Sequence, residues 1–160
     1  MMFMFTELCV ADTPPFSLLI RAENYNVRRG ESVILDITLT NTSEKPLTMR
    51  TPLNSYYGDE NYRLDVSKSN GNAVEKTYAT PKPENKRDAQ LWALSHRTFG
   101  SMRLEQINPG DTEKEKINLS QRYDLSSPGT YLVRVARDVE PGNDTGVVVL
   151  SNLIRVTVAQ

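Results

Sequence analysis

Apolar and polar side chains alternate along most of this chain with a period of two, the pattern of strands that bury one face. The clearest run is 31–41. There Val33, Leu35, Ile37 and Leu39 share one side, Ser32, Asp36, Thr38 and Thr40 the other, and Ile34 alone breaks the rule. Tyr131, Val133 and Val135 alternate in the same way with Leu132, Arg134 and Ala136, and Ile154, Val156 and Val158 form a third row near the C-terminus. Shorter runs at 16–22, 47–50, 73–78 and 147–150 extend the count, with Tyr62, Leu64 and Val66 forming a further inward row. Met102 and Leu104 alternate with charges over 99–106, and Ile117 and Leu119 point inward from 113–119.

Turn chemistry separates these runs. Asn108, Pro109, Gly110 and Asp111 combine a proline that presets φ with a glycine that permits φ > 0. Ser69, Asn70, Gly71 and Asn72 read as a hairpin turn, and Pro128 and Gly129 introduce the Tyr131 strand. Tyr123 is placed to dock its ring at the preceding corner while its hydroxyl finds a backbone partner. Short strands at this spacing predict an all-β protein: an immunoglobulin- or fibronectin-III-like antiparallel β-sandwich over 15–160, preceded by an apolar segment at 1–14. Residues 79–98 depart from the rhythm. A polar, proline-bearing stretch at 80–87 leads into a short helical turn over 88–94, and the whole reads as an irregular insertion.

At 160 residues the chain can bury a core without covalent staples. It carries one cysteine, Cys9, so no internal disulfide and no cysteine-based zinc cluster is possible. Its one histidine, His96, beside Ser95, leaves no recognisable triad or metal set. A net charge of -1 without a basic stripe speaks against nucleic acid, and its closeness to zero is compatible with self-association. No run reaches the length of a membrane span. The apolar residues Met1, Met2, Phe3, Met4 and Phe5, with Leu8, Val10 and Ala11, are consistent with the remnant of an export signal. They lack a preceding basic residue and contain Glu7, so a segment packed on the protein or on a partner explains them equally well.

Several stretches resemble a group of uncharacterised bacterial immunoglobulin-like β-sandwich proteins found in acidobacteria-like genomes. They are residues 15–18, 39–43, 62–66, 69–71, 108–111, 123–126, 128–131 and 151–158. The resemblance spans nearly the whole chain after residue 14. It implies an extracytoplasmic location, periplasmic or secreted, and transfers no catalytic residue. A fainter similarity, carried by the Asn41, Thr42, Ser43 strand end and the Pro128 to Tyr131 strand start, links the chain to Bacillus-type intracellular proteinase inhibitor domains. The sandwich that precedes some deuterolysin-like metallopeptidases shares the same features. No zinc-binding His-Glu-x-x-His helix accompanies it.

The candidate interaction residues are Tyr56, Tyr57, Tyr62 and Trp92, because exposed aromatic rings anchor protein or sugar partners. Against this stands the plainer reading that these rings cap the ends of the sandwich. Asp59 and Glu60, and in a second loop Asp138, Glu140, Asn143 and Asp144, lack the spacing of a calcium site and read as solvated loops. The glycosylation-type motifs at Asn41, Asn118 and Asn143 read as incidental. The alternating charges of Glu113, Lys114, Glu115 and Lys116 read as a strand edge protected against unwanted pairing. The expected function is therefore that of a non-enzymatic protein-interaction, accessory or envelope-associated module without cofactor or metal. Its working surface would be the loops at 56–62 and 80–99, or an exposed strand edge. A proteinase inhibitor with an extended loop at 80–94, or a carbohydrate-binding module, are the alternatives.

Overall fold

The computed structural model describes residues 13–52, 62–77, 102–138 and 148–160. Ten strands follow in order: β1 (Phe16–Ala22), β2 (Asn26–Arg28), β3 (Ile34–Asn41), β4 (Leu47–Pro52), β5 (Arg63–Lys68), β6 (Met102–Ile107), β7 (Thr112–Asn118), β8 (Gly129–Asp138), β9 (Val148–Leu150) and β10 (Ile154–Ala159). One sheet has the order β1-β3-β7, and the facing sheet β2-β10-β8-β5, with β9 also pairing β8. Nearly all pairs are antiparallel; β2 alone runs parallel to its neighbour, β10. The result is the antiparallel, immunoglobulin-like sandwich that the alternation predicts. The little β2 strand was not legible, because a single buried residue, Val27, leaves no period to read.

The alternating rows do meet in one core. Leu35, Ile37, Leu39 and Ile117 from one sheet, with Leu119 just after β7, pack with Tyr131, Val133, Val135, Ile154 and Val156 from the other, all essentially buried. Burying each such side chain contributes roughly 1.5–3 kcal/mol, which makes this layer the main source of stability. Tyr123 behaves as its position predicts. Its ring is buried and its hydroxyl donates to the Leu64 carbonyl at 2.9 Å, across the chain rather than nearby. The local bond that braces the turn comes from Tyr131 instead, whose hydroxyl donates to Ser127 at 2.6 Å over the Pro128 and Gly129 turn.

The strand expected over 73–78 is not formed as such among its described residues. After a turn in which Gly71 takes φ +86°, the chain makes only isolated bridges, Ser67 to Ala73 and Lys76 to Tyr123. It crosses from β5 toward the residues after the 3-10 turn at 119–121, with Thr77 N–H on Arg122 and Asp124 N–H on Glu75. This stretch laces the two sheets together at one side. Leu104 also departs from expectation: it is 64% exposed, while Ile107 on the same strand is buried.

β3 runs on into β4, and β6 into β7. Register pairs Leu39 with Glu113 and Leu47 with Ile107, so β4 and β6 prolong the β3–β7 ribbon beyond the sandwich. The joint is Asn41. It is 1% exposed, its Nδ2 donates to Lys45 and Ile107, both at 2.8 Å, and its Oδ1 accepts from the Ser43 N–H and hydroxyl. Its backbone is tied as well, N–H to Asp111 and carbonyl from Gly110, the latter at φ +81°. With every polar atom engaged and no exposure, Asn41 is a structural hinge and not a glycosylation acceptor.

Candidate functional site

The inward rows of β7 and β8 both point into the core between the sheets, and they change character along their length. From β7 the inward positions are Glu113, Glu115 and Ile117; from β8 they are Val133, Val135 and Arg137. One half of these rows is thus apolar and the other ionic. The charges at 113–116 are consequently not a uniform protected edge. Lys114 and Lys116 point to solvent, but Glu113 and Glu115 turn toward the interior, because strand geometry puts them in the row of Ile117.

Arg137 is 1% exposed. Its Nη1 donates to the Tyr62 hydroxyl at 3.0 Å and its guanidinium lies 4.9 Å from that ring's centre, while Nε and Nη2 have no hydrogen-bond partner among the described residues. Burial pushes the Tyr62 hydroxyl up to about 12, so it stays neutral and can accept from Arg137. Burial likewise raises the Glu113 carboxyl, an effect that Arg137 offsets and that Glu105 reinforces by charge and by hydrogen bonding. Glu115 is raised for the same first reason, with Arg137 and Arg122 pulling the other way and Glu113 adding to the rise. One guanidinium therefore balances two inward carboxylates, and a third, Glu105, crowds Glu113.

Outside this cluster lies an open groove of about 610 Å³, lined by residues 104–107 and 111–113. Glu105, Asp111 and Glu113 give it an acidic wall, and Leu104 an apolar one. The groove follows the outer side of β6 and the start of β7. That side pairs with no strand among the described residues. Its backbone groups can be placed. The Ile107 carbonyl is taken by Asn41 on the β3–β4 side, so alternation directs the N–H and carbonyl of residues 104 and 106 outward to the groove. By the same rule Leu119, whose N–H donates to Val33, directs the groups of 114 and 116 outward.

The opposite edge of that sheet is capped at one residue. On β1, the Asn152 side chain accepts from the Ile20 N–H at 2.8 Å and donates to the Ile20 carbonyl at 3.1 Å, taking the part of a neighbouring strand. At the β9–β10 join, the Ser151 hydroxyl accepts from the Val135 N–H at 2.9 Å.

Of the aromatic candidates, Tyr62 is 2% exposed and serves the interior as the partner of Arg137, so it offers no contact surface. Tyr56, Tyr57 and Trp92 lie outside the described residues, as do the loops at 53–61 and 78–101, Cys9 and His96. Among the described residues no cluster of histidine, cysteine or acidic groups is arranged to hold a metal ion. No helix among them is long and apolar enough to cross a membrane. The sequence reading missed Arg137, Glu113 and Glu115 as a unit. The signal was present, since Arg137 shares the inward parity of Tyr131, Val133 and Val135, and both glutamates share that of Ile117.

No protein-family model and no curated protein matches the chain. Solved structures give distant likenesses. The CARDB domain of the PF1109 protein from Pyrococcus furiosus, solved with di-metal ions, is 11% identical with a TM-score of 0.45, over 92% of this chain and 90% of that one. The PapD-like domain 7 of human CEP192 is 14% identical with a TM-score of 0.35, over 99% and 93% of the two chains. The β-glucosidase EmGH1 from Erythrobacter marinus is 12% identical with a TM-score of 0.42; the likeness covers 90% of this chain but 15% of the enzyme.

Proposed function

We propose that this chain is a non-catalytic protein-interaction module that works outside the cytoplasm and takes up an extended segment of a partner as an added strand along β6 and the start of β7. The observation that carries the reading is the open backbone of residues 104 and 106 beside a groove. Strand addition draws its affinity from main-chain hydrogen bonds and its selectivity from the side-chain pockets alongside, and this edge offers both. The Asn152 cap on the Ile20 backbone of β1 supports the choice of side. The apolar residues at 1–11 support the location.

Proline at position 106 tests the edge directly. An edge strand tolerates proline where its N–H faces solvent, so Gln106→Pro leaves the β4–β6 pairing in place and removes one outward donor. Affinity purification of the full chain from its native host, with mass spectrometry, identifies a companion. Amide hydrogen exchange on the complex is then expected to show residues 104 and 106 slowed, and Gln106→Pro to lose the companion with an unchanged near-ultraviolet circular dichroism spectrum. A companion retained by Gln106→Pro, with β6 amides exchanging freely, overturns the edge. Recovery of the chain from the cytoplasmic fraction with Met1 intact overturns the location.

A further inference from the structure

We infer that a proton held by Glu113 and hydrogen-bonded to Glu105 clasps β6 to β7, so that the β6 edge is ordered in acid and loosens as that proton leaves. The bearing of the clasp on strand uptake rests on the edge reading above; the clasp itself does not.

The two residues stand on either side of the turn at 108–111, Glu105 two residues before the end of β6 and Glu113 at the second position of β7. Ile107 and Ile117 are buried, so the same parity turns both acids inward. Both line the groove, and their side chains are hydrogen-bonded to each other. A carboxylate accepts hydrogen bonds and donates none, so that bond exists only while one of the two carries a proton. Their cross-strand neighbours are apolar and buried, Leu39 opposite Glu113 and Met49 opposite Glu105. The Glu113 Oε2 is buried with no hydrogen-bond partner among the described residues, a setting that disfavours the ionised form.

The charged groups around the pair decide where the proton sits. Burial raises the Glu113 carboxyl, Arg137 from β8 opposes the rise, and Glu105 adds to it. Glu113 is therefore the donor and Glu105 the acceptor. The pull of Arg137 is divided, because it also acts on Glu115, which Arg122 and Glu113 influence as well. Its Nη1 is engaged by the neutral Tyr62 hydroxyl. Asp111, on the same groove wall, accepts from Asn108 at 3.0 Å. Asn41 ties the joint from the β3–β4 side through the Ile107 carbonyl, and the acid pair ties it from the β6–β7 side. Once the proton leaves, two carboxylates in contact repel, and β6 loses the second tie. The clasp is complete below about pH 4.5 and is lost as pH rises through the higher folded value of Glu113.

The carboxyl carbon resonance of Glu113, followed by nuclear magnetic resonance on the full chain from about pH 3 to about pH 9, tests the bond. It is expected to titrate above 4.5, and to titrate lower in Glu105→Ala, where the proton has lost its acceptor. Amide exchange, corrected for its intrinsic dependence on pH, tests the clasp at residues 105 and 107, whose N–H groups face β4. Their protection is expected to fall about tenfold as Glu113 ionises. Glu113→Gln keeps a donor at every pH and is expected to hold that protection level throughout. Glu113→Met has no donor and is expected to show the lower protection at every pH. A Glu113 titration that Glu105→Ala leaves unmoved overturns the bond. Constant protection at 105 and 107 in the parent, or Glu113→Met matching Glu113→Gln, overturns the clasp. The uptake groups belong to residues 104 and 106, so a failure of the edge reading shows there and leaves the result at 105 and 107 intact.

Discussion

The two halves of the inward rows of β7 and β8 are built on the same backbone geometry and hold together by different physics. In the apolar half Ile117, Val133 and Val135 are buried in one core from which water is excluded. In the ionic half Glu113 and Glu115 share one buried guanidinium, that of Arg137, two of whose nitrogens lack hydrogen-bond partners among the described residues. An apolar layer gains from every contact it makes, whereas a buried ionic layer gains only what remains after each charge has lost its hydration. The ionic half is therefore expected to stabilise little and to specify much. It fixes the end of the sandwich at which an acidic groove opens.

Substitutions in the two halves separate these contributions. The largest effect is expected in the apolar half, where Leu35 is fully buried. Leu35→Ala removes buried methyl groups and leaves a cavity, with an expected loss of about 3–4 kcal/mol in urea denaturation. A loss near zero would mean that the two sheets are not closely packed at this point.

Arg137→Met comes next. The thioether fills much of the same volume but leaves Glu113 and Glu115 without their cation, and the expected loss is about 2 kcal/mol. Adding Glu113→Gln and Glu115→Gln should recover most of it, because no charge is then left uncompensated. If Arg137→Met alone matches the parent, the guanidinium is not balancing the two carboxylates.

The smallest effect is the dependence on pH. Burial raises Glu113 above its ordinary value of 4.5, so the folded carboxyl holds its proton more tightly than the unfolded one. The stability that this proton contributes is complete below about pH 4.5 and is lost as pH rises through the higher folded value. Glu113→Gln should remove that decline, giving a flatter stability profile above pH 4.5 and a more stable protein at neutral pH. A profile that keeps the parent's slope would assign the titration to Glu115, whose carboxyl burial also raises, beside Arg137, Arg122 and Tyr62.

The two edges of the β1-β3-β7 sheet repeat the contrast. β1 is capped by Asn152, a residue from the distant β9–β10 join, while the β6–β7 side keeps its main-chain groups directed outward. Neither arrangement was legible beforehand. Asn152 looks like any turn residue, and what it caps lies 132 positions away in the chain. Asn41 is similar: its motif reads as a strand end, yet its amide joins three separate segments.

For the long strands, existence and parity were set by the sequence alone. A period of two is a property of each strand's own backbone, so Val33 to Leu39 and Tyr131 to Val135 declare their buried face without reference to any neighbour. The same parity already put Arg137 and Glu113 inside. What it could not supply was the meaning of a charge there, because that depends on which strands face each other and where each row ends. Only the packing of the β7 and β8 rows into one core, and the pairing of β6 with nothing among the described strands on its outer side, turned scattered charges into a cluster beside a groove.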